Sequence, residues 1–256
     1  KINTTPEIAI ILGTGLNGLA GIVENPVFIE YSSIPHFVTS TAPSHEGRLV
    51  FGTISGKNVI LLQGRFHFYE GYTMEELTFP IRVLKSLGVN YLLLTNAAGS
   101  LNPEIKKGDI VLIKDHINFI GTNPLIGKNY DELGERFPSM NEPYDRHLIK
   151  TAQSIALENN IDVKNGVYIA VSGPSLETKS ESIMLSRLGA DVVGMSTVPE
   201  TITAVHAGMK VFAASIATNL SNIFHSEPHT QEEIRDSAEQ AGKNLTIIIK
   251  DLIKKI

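Results

Sequence analysis

Residues 58–72, NVILLQGRFHFYEGY, join an apolar run to a stretch rich in polar and aromatic side chains. The apolar residues 59–62 are consecutive, which is typical of a strand that helices cover on both faces. Arg65, His67 and Tyr69 follow the run, and they share one face if the chain stays extended. The stretch therefore predicts a buried strand whose carboxyl end presents a guanidinium, an imidazole and a phenol together.

Similar apolar runs recur along the chain and alternate with helical patterns. Predicted strands cover residues 8–12, 58–62, 91–95, 109–113, 166–171, 191–195 and 210–215. Apolar residues at helical spacing predict helices over residues 74–88, 145–160 and 180–190. A long C-terminal helix is predicted from Gln231, because its charges run from acidic to basic as the helix dipole favours. This alternation predicts one α/β domain, spanning residues 1–256, in which helices flank a central sheet.

Composition and charge argue against several classes of function. The chain has 256 residues and a net charge of −5, so we expect neither a nucleic acid nor an anionic membrane as partner. It has no Cys, which excludes thiolate metal sites and is compatible with a cytoplasmic location. We also expect no signal peptide and no transmembrane helix, because every apolar run is too short.

No metal-binding motif stands out in the sequence. His225 and His229 have the spacing of helical metal ligands, but Pro228 between them disrupts the helix that this spacing requires. We therefore expect no metal ion.

The predicted strands end in polar and glycine-rich segments, and ligands of open α/β sheets bind at the carboxyl ends of strands. The segments are GTGL, QGRFHFY, TNAAGS, SGPSLET, GMST and ATNLS. Arg65 suits a phosphate, which a guanidinium grips through two parallel hydrogen bonds, and His67 adds a donor beside it. A solvated turn with Phe66 and Phe68 packed inward would explain the same stretch without a ligand.

The glycine-rich turn after the first predicted strand has three interpretations. Residues 13–18, GTGLNG, match a dinucleotide-binding turn, with Glu30 placed where a ribose-binding acid would stand. The segment that follows is a poor crossover helix, because Gly18 and Gly21 interrupt it. A plain tight turn is the second interpretation. The third is an anion-binding turn in which backbone N–H groups and the Thr14 hydroxyl face a phosphate.

Three further strand ends carry candidate chemistry. Residues 194–198, GMSTV, match a nucleophile elbow for three residues, but Val198 replaces the second Gly and disfavours a serine hydrolase. Small residues at 95–100 allow backbone amides to approach a ligand, although close helix packing would explain them equally well. Glu177 and Asn219 together could recognise a flat heterocycle by its donors and acceptors.

These strand ends lie within longer blocks that resemble the trimeric, low-molecular-mass purine nucleoside phosphorylases over almost the whole chain. The blocks include PSHEGRLVFG, LLQGRFHFYEGY, TNAAGSLNP, SGPSLET and LGADVVGMSTVPE. The resemblance implies an α/β domain with a twisted central mixed β-sheet and a homotrimer. It also implies reversible, phosphate-dependent cleavage of purine nucleosides to a base and ribose 1-phosphate in purine salvage, with phosphate as co-substrate and no cofactor.

The same resemblance implies roles for individual residues. Phosphate contacts are implied for Thr14, His45, Arg65, His67, the Ala97 amide and Ser196. Ribose contacts are implied for Tyr69, Met195, Gln231 and Phe137, the last supplied by a neighbouring subunit. Purine contacts are implied for Asn96, Leu176, Glu177, Val193 and Asn219. The expected catalytic residues are His67, Glu177 and Asn219.

Three positions depart from the pattern of the family and bear on substrate range. Gln231 stands where many relatives have a His for the ribose 5′-hydroxyl, Leu176 replaces a Phe that stacks on the purine, and Leu220 replaces a Lys found in some relatives. Relatives that use adenosine tend to place an Asp at the position of Asn219. The resemblance therefore implies 6-oxopurine nucleosides such as inosine and guanosine.

Three competing functions remain open at this point. An oxidoreductase would use residues 13–18 to bind a dinucleotide. A non-catalytic nucleoside-binding protein would keep the purine contacts without needing Arg65 and His67. A nucleoside hydrolase would release base without phosphate and usually brings an Asp cluster and Ca²⁺, which the sequence does not suggest.

Overall fold

The computed structural model describes residues 5–14, 16–41, 46–224 and 231–256. The strands are β1 (Ile8–Ile11), β2 (Glu24–Glu30), β3 (Arg48–Ile54), β4 (Lys57–Gln63), β5 (Tyr91–Ser100), β6 (Ile110–Asn118), β7 (Val163–Ala170), β8 (Val192–Gly194) and β9 (Lys210–Leu220). The α-helices are α1 (Met74–Ser86), α2 (Arg146–Glu158), α3 (Lys179–Arg187), α4 (Val198–His206) and α5 (Gln231–Lys255).

The described strands form one mixed sheet in the order β2-β3-β4-β1-β5-β8-β7-β6-β9. Strand β1 runs parallel to β4 and β5, whereas β3 is antiparallel to β2 and β4. Strand β5 also pairs with β9, so β5, β8, β7, β6 and β9 close into a ring. The predicted α/β fold with a central mixed sheet is confirmed.

Uninterrupted apolar sequence places β1 and β4 in the centre of the sheet. All four residues of β1 are buried, as are residues 59–62 of β4. Capping boxes begin α1 and α3, where Thr73 and Thr178 each exchange hydrogen bonds with a Glu three residues later. These caps determine where the loops before the two helices end.

The predicted strands and helices are confirmed, but β2, β3 and α4 were missed. Strand β2 is an edge strand whose Val27 and Phe28 are exposed, so it lacks a buried apolar run. Strands β3 and β4 form a hairpin through Ser55 and Gly56, both at positive φ, and this turn signal was present in the sequence. Helix α4 is buried on nearly every side, so its sequence lacks a polar face.

The topology contradicts the dinucleotide interpretation of residues 13–18. A short 3₁₀ helix at Asn17–Ile22, rather than a crossover α-helix, connects β1 to β2. Strands β3 and β4 separate β2 from β1, so Glu30 lies far along the sheet from the turn. Glu30 therefore does not stand beside the turn, and the dinucleotide interpretation, the least favoured of the three, is wrong.

Within the described residues, no helix combines the length and the apolar character needed to cross a membrane.

Candidate active site

A cavity of about 380 Å³ lies at the carboxyl ends of β1, β4, β8 and β9 and along the second half of β5. Most of the predicted site residues line it: Thr14, Arg65, His67, Tyr69, Asn96, Ala97, Leu176, Glu177, Val193, Met195, Ser196 and Asn219. The strand ends that the sequence singled out therefore converge on one site.

Three predicted site residues are not among those that line the cavity. Phe137 lies in the loop between β6 and α2 and is 85% exposed. His45 lies outside the described residues. Gln231 begins α5, but its side chain also lies outside what the structure describes.

The guanidinium of Arg65 is held from three directions beneath the cavity. Its Nε donates to Glu200 Oε1 at 3.1 Å, and its Nη1 donates to the Thr95 carbonyl at 2.9 Å and to Ser196 Oγ at 3.0 Å. The side chains of Arg65 and Glu200 are only 2% and 4% exposed. Ser196 Oγ accepts from Arg65 and also lies 3.2 Å from Thr197 Oγ1 and 3.5 Å from the Tyr168 hydroxyl, so it belongs to a buried cluster of hydroxyl groups beside the guanidinium.

Ser196 lies in a strained turn between β8 and α4. The next residue, Thr197, is fully buried with φ at 70°, a conformation that β-branched residues rarely adopt. Asn96 Nδ2 donates to Thr197 Oγ1 at 2.9 Å and supports this geometry. The partial match to a nucleophile elbow thus marked a sharp turn, but the Ser196 hydroxyl contacts a guanidinium.

The turn after β1 packs directly against β5. Gly13 N donates to Thr95 Oγ1 at 3.1 Å, and a Cβ at this glycine would lie 2.6 Å from the Cα of Asn96. Only glycine therefore fits here without moving backbone. This packing places Thr14 at the cavity, as the anion-binding interpretation requires.

His67 is fixed by a carboxylate that the sequence analysis did not identify. Glu70 Oε1 accepts from the His67 backbone at 2.9 Å and contacts His67 Nδ1 at 2.8 Å, while Glu70 Oε2 accepts from Thr41 N at 2.7 Å. Burial alone would raise the pKa of Glu70, but hydrogen bonds from His67 and Thr41 lower it to about 2. The Tyr69 ring stacks on His67 at a centroid distance of 4.8 Å.

Glu177 approaches the cavity from the segment before α3, and Asn219 approaches it from the end of β9. Asn222 Nδ2 donates to the Glu177 carbonyl at 2.8 Å, which ties the segment before α3 to the end of β9. Thr218 Oγ1 donates to Asn219 Oδ1 at 3.1 Å, and this bond leaves the amide N–H₂ to act as a donor. Burial raises the pKa of the Glu177 carboxyl.

Comparisons with known proteins agree with this geometry. The sequence model that describes the phosphorylase superfamily matches residues 7–254 of this chain. Purine nucleoside phosphorylase 1 of Bacillus subtilis (strain 168) is 49% identical over 249 residues, which cover 97% of this chain and 92% of the relative. A crystal structure of Schistosoma mansoni purine nucleoside phosphorylase with adenosine has a TM-score of 0.95 and 42% identity, covering 100% of this chain and 92% of that one.

The chain belongs to the purine nucleoside phosphorylases. The family resemblance drawn from the strand ends is thereby confirmed, and so is the expectation of an enzyme of the pentosyltransferase type. A second S. mansoni purine nucleoside phosphorylase structure, in complex with inosine, has a TM-score of 0.94, 42% identity and the same coverage of both chains.

Among the described residues of this phosphorylase, no group of three or more His, Cys, Asp or Glu side chains is placed so that it could hold a metal ion.

The ion pair between Arg65 and Glu200 predicts a large effect on stability. We expect Glu200→Ala to lower the free energy of unfolding by about 3–5 kcal/mol, because it leaves a buried guanidinium without its counter-charge. Glu200→Gln should cost less, since its carbonyl oxygen still accepts from Arg65 Nε. Urea denaturation followed by circular dichroism measures both effects.

The control for this comparison is the exposed ion pair in which Arg146 Nη2 lies 3.0 Å from Glu142 Oε1. Glu142→Ala should change the free energy of unfolding by less than about 1 kcal/mol. If Glu200→Ala costs no more than Glu142→Ala, the ion pair does not hold Arg65 in place.

The lowered pKa of Glu70 predicts a specific dependence of stability on pH. Because the folded pKa of about 2 lies below the ordinary 4.5, ionised Glu70 stabilises the fold fully above pH 4.5 and progressively less as the pH falls toward 2. The difference in unfolding free energy between the wild type and Glu70→Gln should therefore be constant near neutral pH. It should shrink below pH 4.5, and a difference unchanged at about pH 3 would contradict the assignment.

Proposed function

We propose that this enzyme catalyses the phosphorolysis of 6-oxopurine nucleosides and their 2′-deoxy forms, releasing the free purine and (deoxy)ribose 1-phosphate. One observation carries the proposal. Arg65, His67 and Ser196, which suit an oxyanion, line the same cavity as Glu177 and Asn219, which suit a heterocycle. A cavity of about 380 Å³ also lies within the range usual for small-molecule sites.

Phosphate binds on the side of the cavity formed by Arg65 and Ser196. The bonds from Arg65 Nη1 to the Thr95 carbonyl and Ser196 Oγ orient the guanidinium, and its Nη2 donates to the phosphate, so little reorganisation accompanies binding. Thr14, His67 and the Ala97 amide complete the group of donors, with His45 as a further phosphate contact. Holding the nucleophile in line with the anomeric carbon removes about 7 kcal/mol or more of the barrier when the geometry is near attack.

The purine binds on the side of Glu177 and Asn219. Asn219 Nδ2 donates to N7 of the base, where negative charge develops as the glycosidic bond breaks, and Glu177 accepts from N1–H. Removing one such oriented donor typically costs about 10²–10³-fold in rate. Phosphate itself is the nucleophile, so no carboxylate nucleophile is required and no cofactor is proposed. Val193 and Leu176 supply the apolar walls, and Asn96 supports the turn at Thr197.

The sugar lies between these two sides, against Tyr69 and Met195. Gln231 hydrogen-bonds the 5′-hydroxyl but, unlike a His, carries no charge. We further propose a homotrimer in which Phe137 reaches the sugar side of a neighbouring subunit, which its 85% exposure supports. A cytoplasmic role in purine salvage, with the whole chain as one domain, completes the proposal.

The deciding experiment is release of hypoxanthine from inosine with and without phosphate, followed by chromatography. We expect base release only with phosphate, together with stoichiometric ribose 1-phosphate. Equal release without phosphate would indicate a nucleoside hydrolase. Binding of inosine without any base release would indicate a non-catalytic nucleoside-binding protein.

Substrate preference is predicted to depend on Asn219. Asn219→Asp should shift the ratio of kcat/KM for adenosine over inosine upward by about tenfold or more, because the new carboxylate favours a 6-amino purine over a 6-oxopurine. The ratio of kcat/KM is measured rather than the formation of a complex, since S. mansoni purine nucleoside phosphorylase was crystallised both with adenosine and with inosine. Thr218→Val, which removes the hydroxyl bonds to Asn219 Oδ1 and the Ala98 carbonyl but keeps the Asn219 amide, is the control. An unchanged ratio in Asn219→Asp contradicts the assignment.

A further inference from the structure

Helix α4 connects the cavity to a second polar cluster at its other end. The helix begins at Val198, directly after Ser196 and Thr197, and it contains Glu200, the partner of Arg65. Its last residue, His206, is 6% exposed and contacts both α1 and the loop before α2. None of the contacts that hold phosphate or purine in the proposed reaction involves His206.

The hydrogen bonds around His206 determine its tautomer. Arg82 Nη1 lies 2.8 Å from His206 Nδ1, and because a guanidinium only donates, Nδ1 must accept. The proton is therefore on Nε2, which lies 3.3 Å from Asn129 Oδ1. The Asn129 amide nitrogen in turn donates to Asp131 Oδ1 and to the Gly134 carbonyl. A neutral imidazole thus bridges α1 and residues 129–134.

The backbone of the loop also packs closely on His206. Gly134 has φ at 146°, and a Cβ there would lie 2.8 Å from His206 Nδ1 and would overlap the His206 carbonyl oxygen. Arg82 Nη1 donates to the Leu133 carbonyl at 3.3 Å, so one guanidinium contacts both the imidazole and the loop. Residues 129–134 therefore pack closely against the end of α4. We call this set of contacts with His206 and Arg82 the seat of the loop.

This seat lies three residues before Phe137. Beyond Gly134, Arg136 Nη1 donates to the Leu125 carbonyl at 2.8 Å, and its guanidinium lies 5.6 Å from the centroid of the Phe137 ring. Phe137 itself has few contacts in its own subunit, since it is 85% exposed. The direction in which Phe137 projects is consequently set by the contacts of the residues that precede it.

We propose that His206 is a positioning residue that seats the loop of residues 129–134 and so presents Phe137 to the sugar site of a neighbouring subunit. The inference rests on the proposed function, in which Phe137 closes that site. One helix then holds the phosphate contacts of its own subunit at one end and supports the aromatic ring lent to a second subunit at the other.

The same arrangement makes the seat sensitive to acid. A proton on Nδ1 would point at the donating guanidinium of Arg82, so protonation opposes the contact. Burial and the charge of Arg82 both lower the pKa of His206, with Arg136 acting in the same sense and Glu135 opposing. The neutral form therefore predominates at neutral pH, and the seat weakens as the pH falls below the ordinary histidine value.

The test compares His206→Ala, His206→Asn and the control His147→Ala, which removes an exposed histidine on α2. Hydrogen exchange of residues 125–138 is measured first, because it needs no substrate. We expect faster exchange in His206→Ala and no change in His147→Ala. His206→Asn should retain most of the protection through an oxygen that accepts from Arg82, and should lose the wild type's sensitivity to pH below about 6.5.

Kinetics then connect the seat to the reaction. His206→Ala should raise the KM for inosine by about 5–30-fold and leave the KM for phosphate unchanged. In a Phe137→Ala background the same substitution should have little further effect, because the ring that it positions is gone. Unchanged exchange in His206→Ala, or losses that simply add in the double variant, would overturn the proposal. Failure of the proposed function appears separately, as a wild type without phosphate-dependent base release.

Discussion

The site depends on burying one cation, the guanidinium of Arg65, beneath the cavity. A buried charge is costly unless another charge and hydrogen bonds compensate for it, and here Glu200, Ser196 and the Thr95 carbonyl do so. Ser196 and Glu200 lie in the β8–α4 turn and in α4, and Thr95 lies in β5, so these contacts to Arg65 form only when segments distant in sequence have packed together. In the proposed reaction, an arginine that is already held in this way needs little rearrangement when phosphate binds.

Close packing around this ion pair explains several residues that otherwise look unrelated. Gly13 lets the turn after β1 touch the backbone of β5, and Gly194 leaves room for the Tyr168 hydroxyl, which accepts from Ser196 N at 3.2 Å. Thr197 keeps an unfavourable φ because Asn96 and the first turn of α4 hold it. Backbone strain and small residues are therefore concentrated around Arg65 and Ser196, which is the preorganisation that the proposed phosphate site requires.

Most of the site could be predicted because its side chains follow strand ends, and the closed arrangement of β5, β8, β7, β6 and β9 brings those ends together. Glu70 and Glu200 were missed although both lie inside the blocks that carry the family resemblance, LLQGRFHFYEGY and LGADVVGMSTVPE. Their signals were present, a Glu three residues after His67 and a lone acid in the apolar segment of α4. Neither signal identifies a site residue until its partner in space is known, because a carboxylate seen alone in a sequence is usually exposed to solvent.

The sequence by itself determined the alternation of strands and helices, the chemical types at each strand end and the family to which the chain belongs. Only the tertiary structure decided that Glu200 is the partner of Arg65, that α4 is buried on nearly every side, and that His206 meets Arg82 and Asn129. The physical reason is that periodicity and turn chemistry act over a few residues, whereas an ion pair or a hydrogen bond selects its partner by distance in space after the chain has packed.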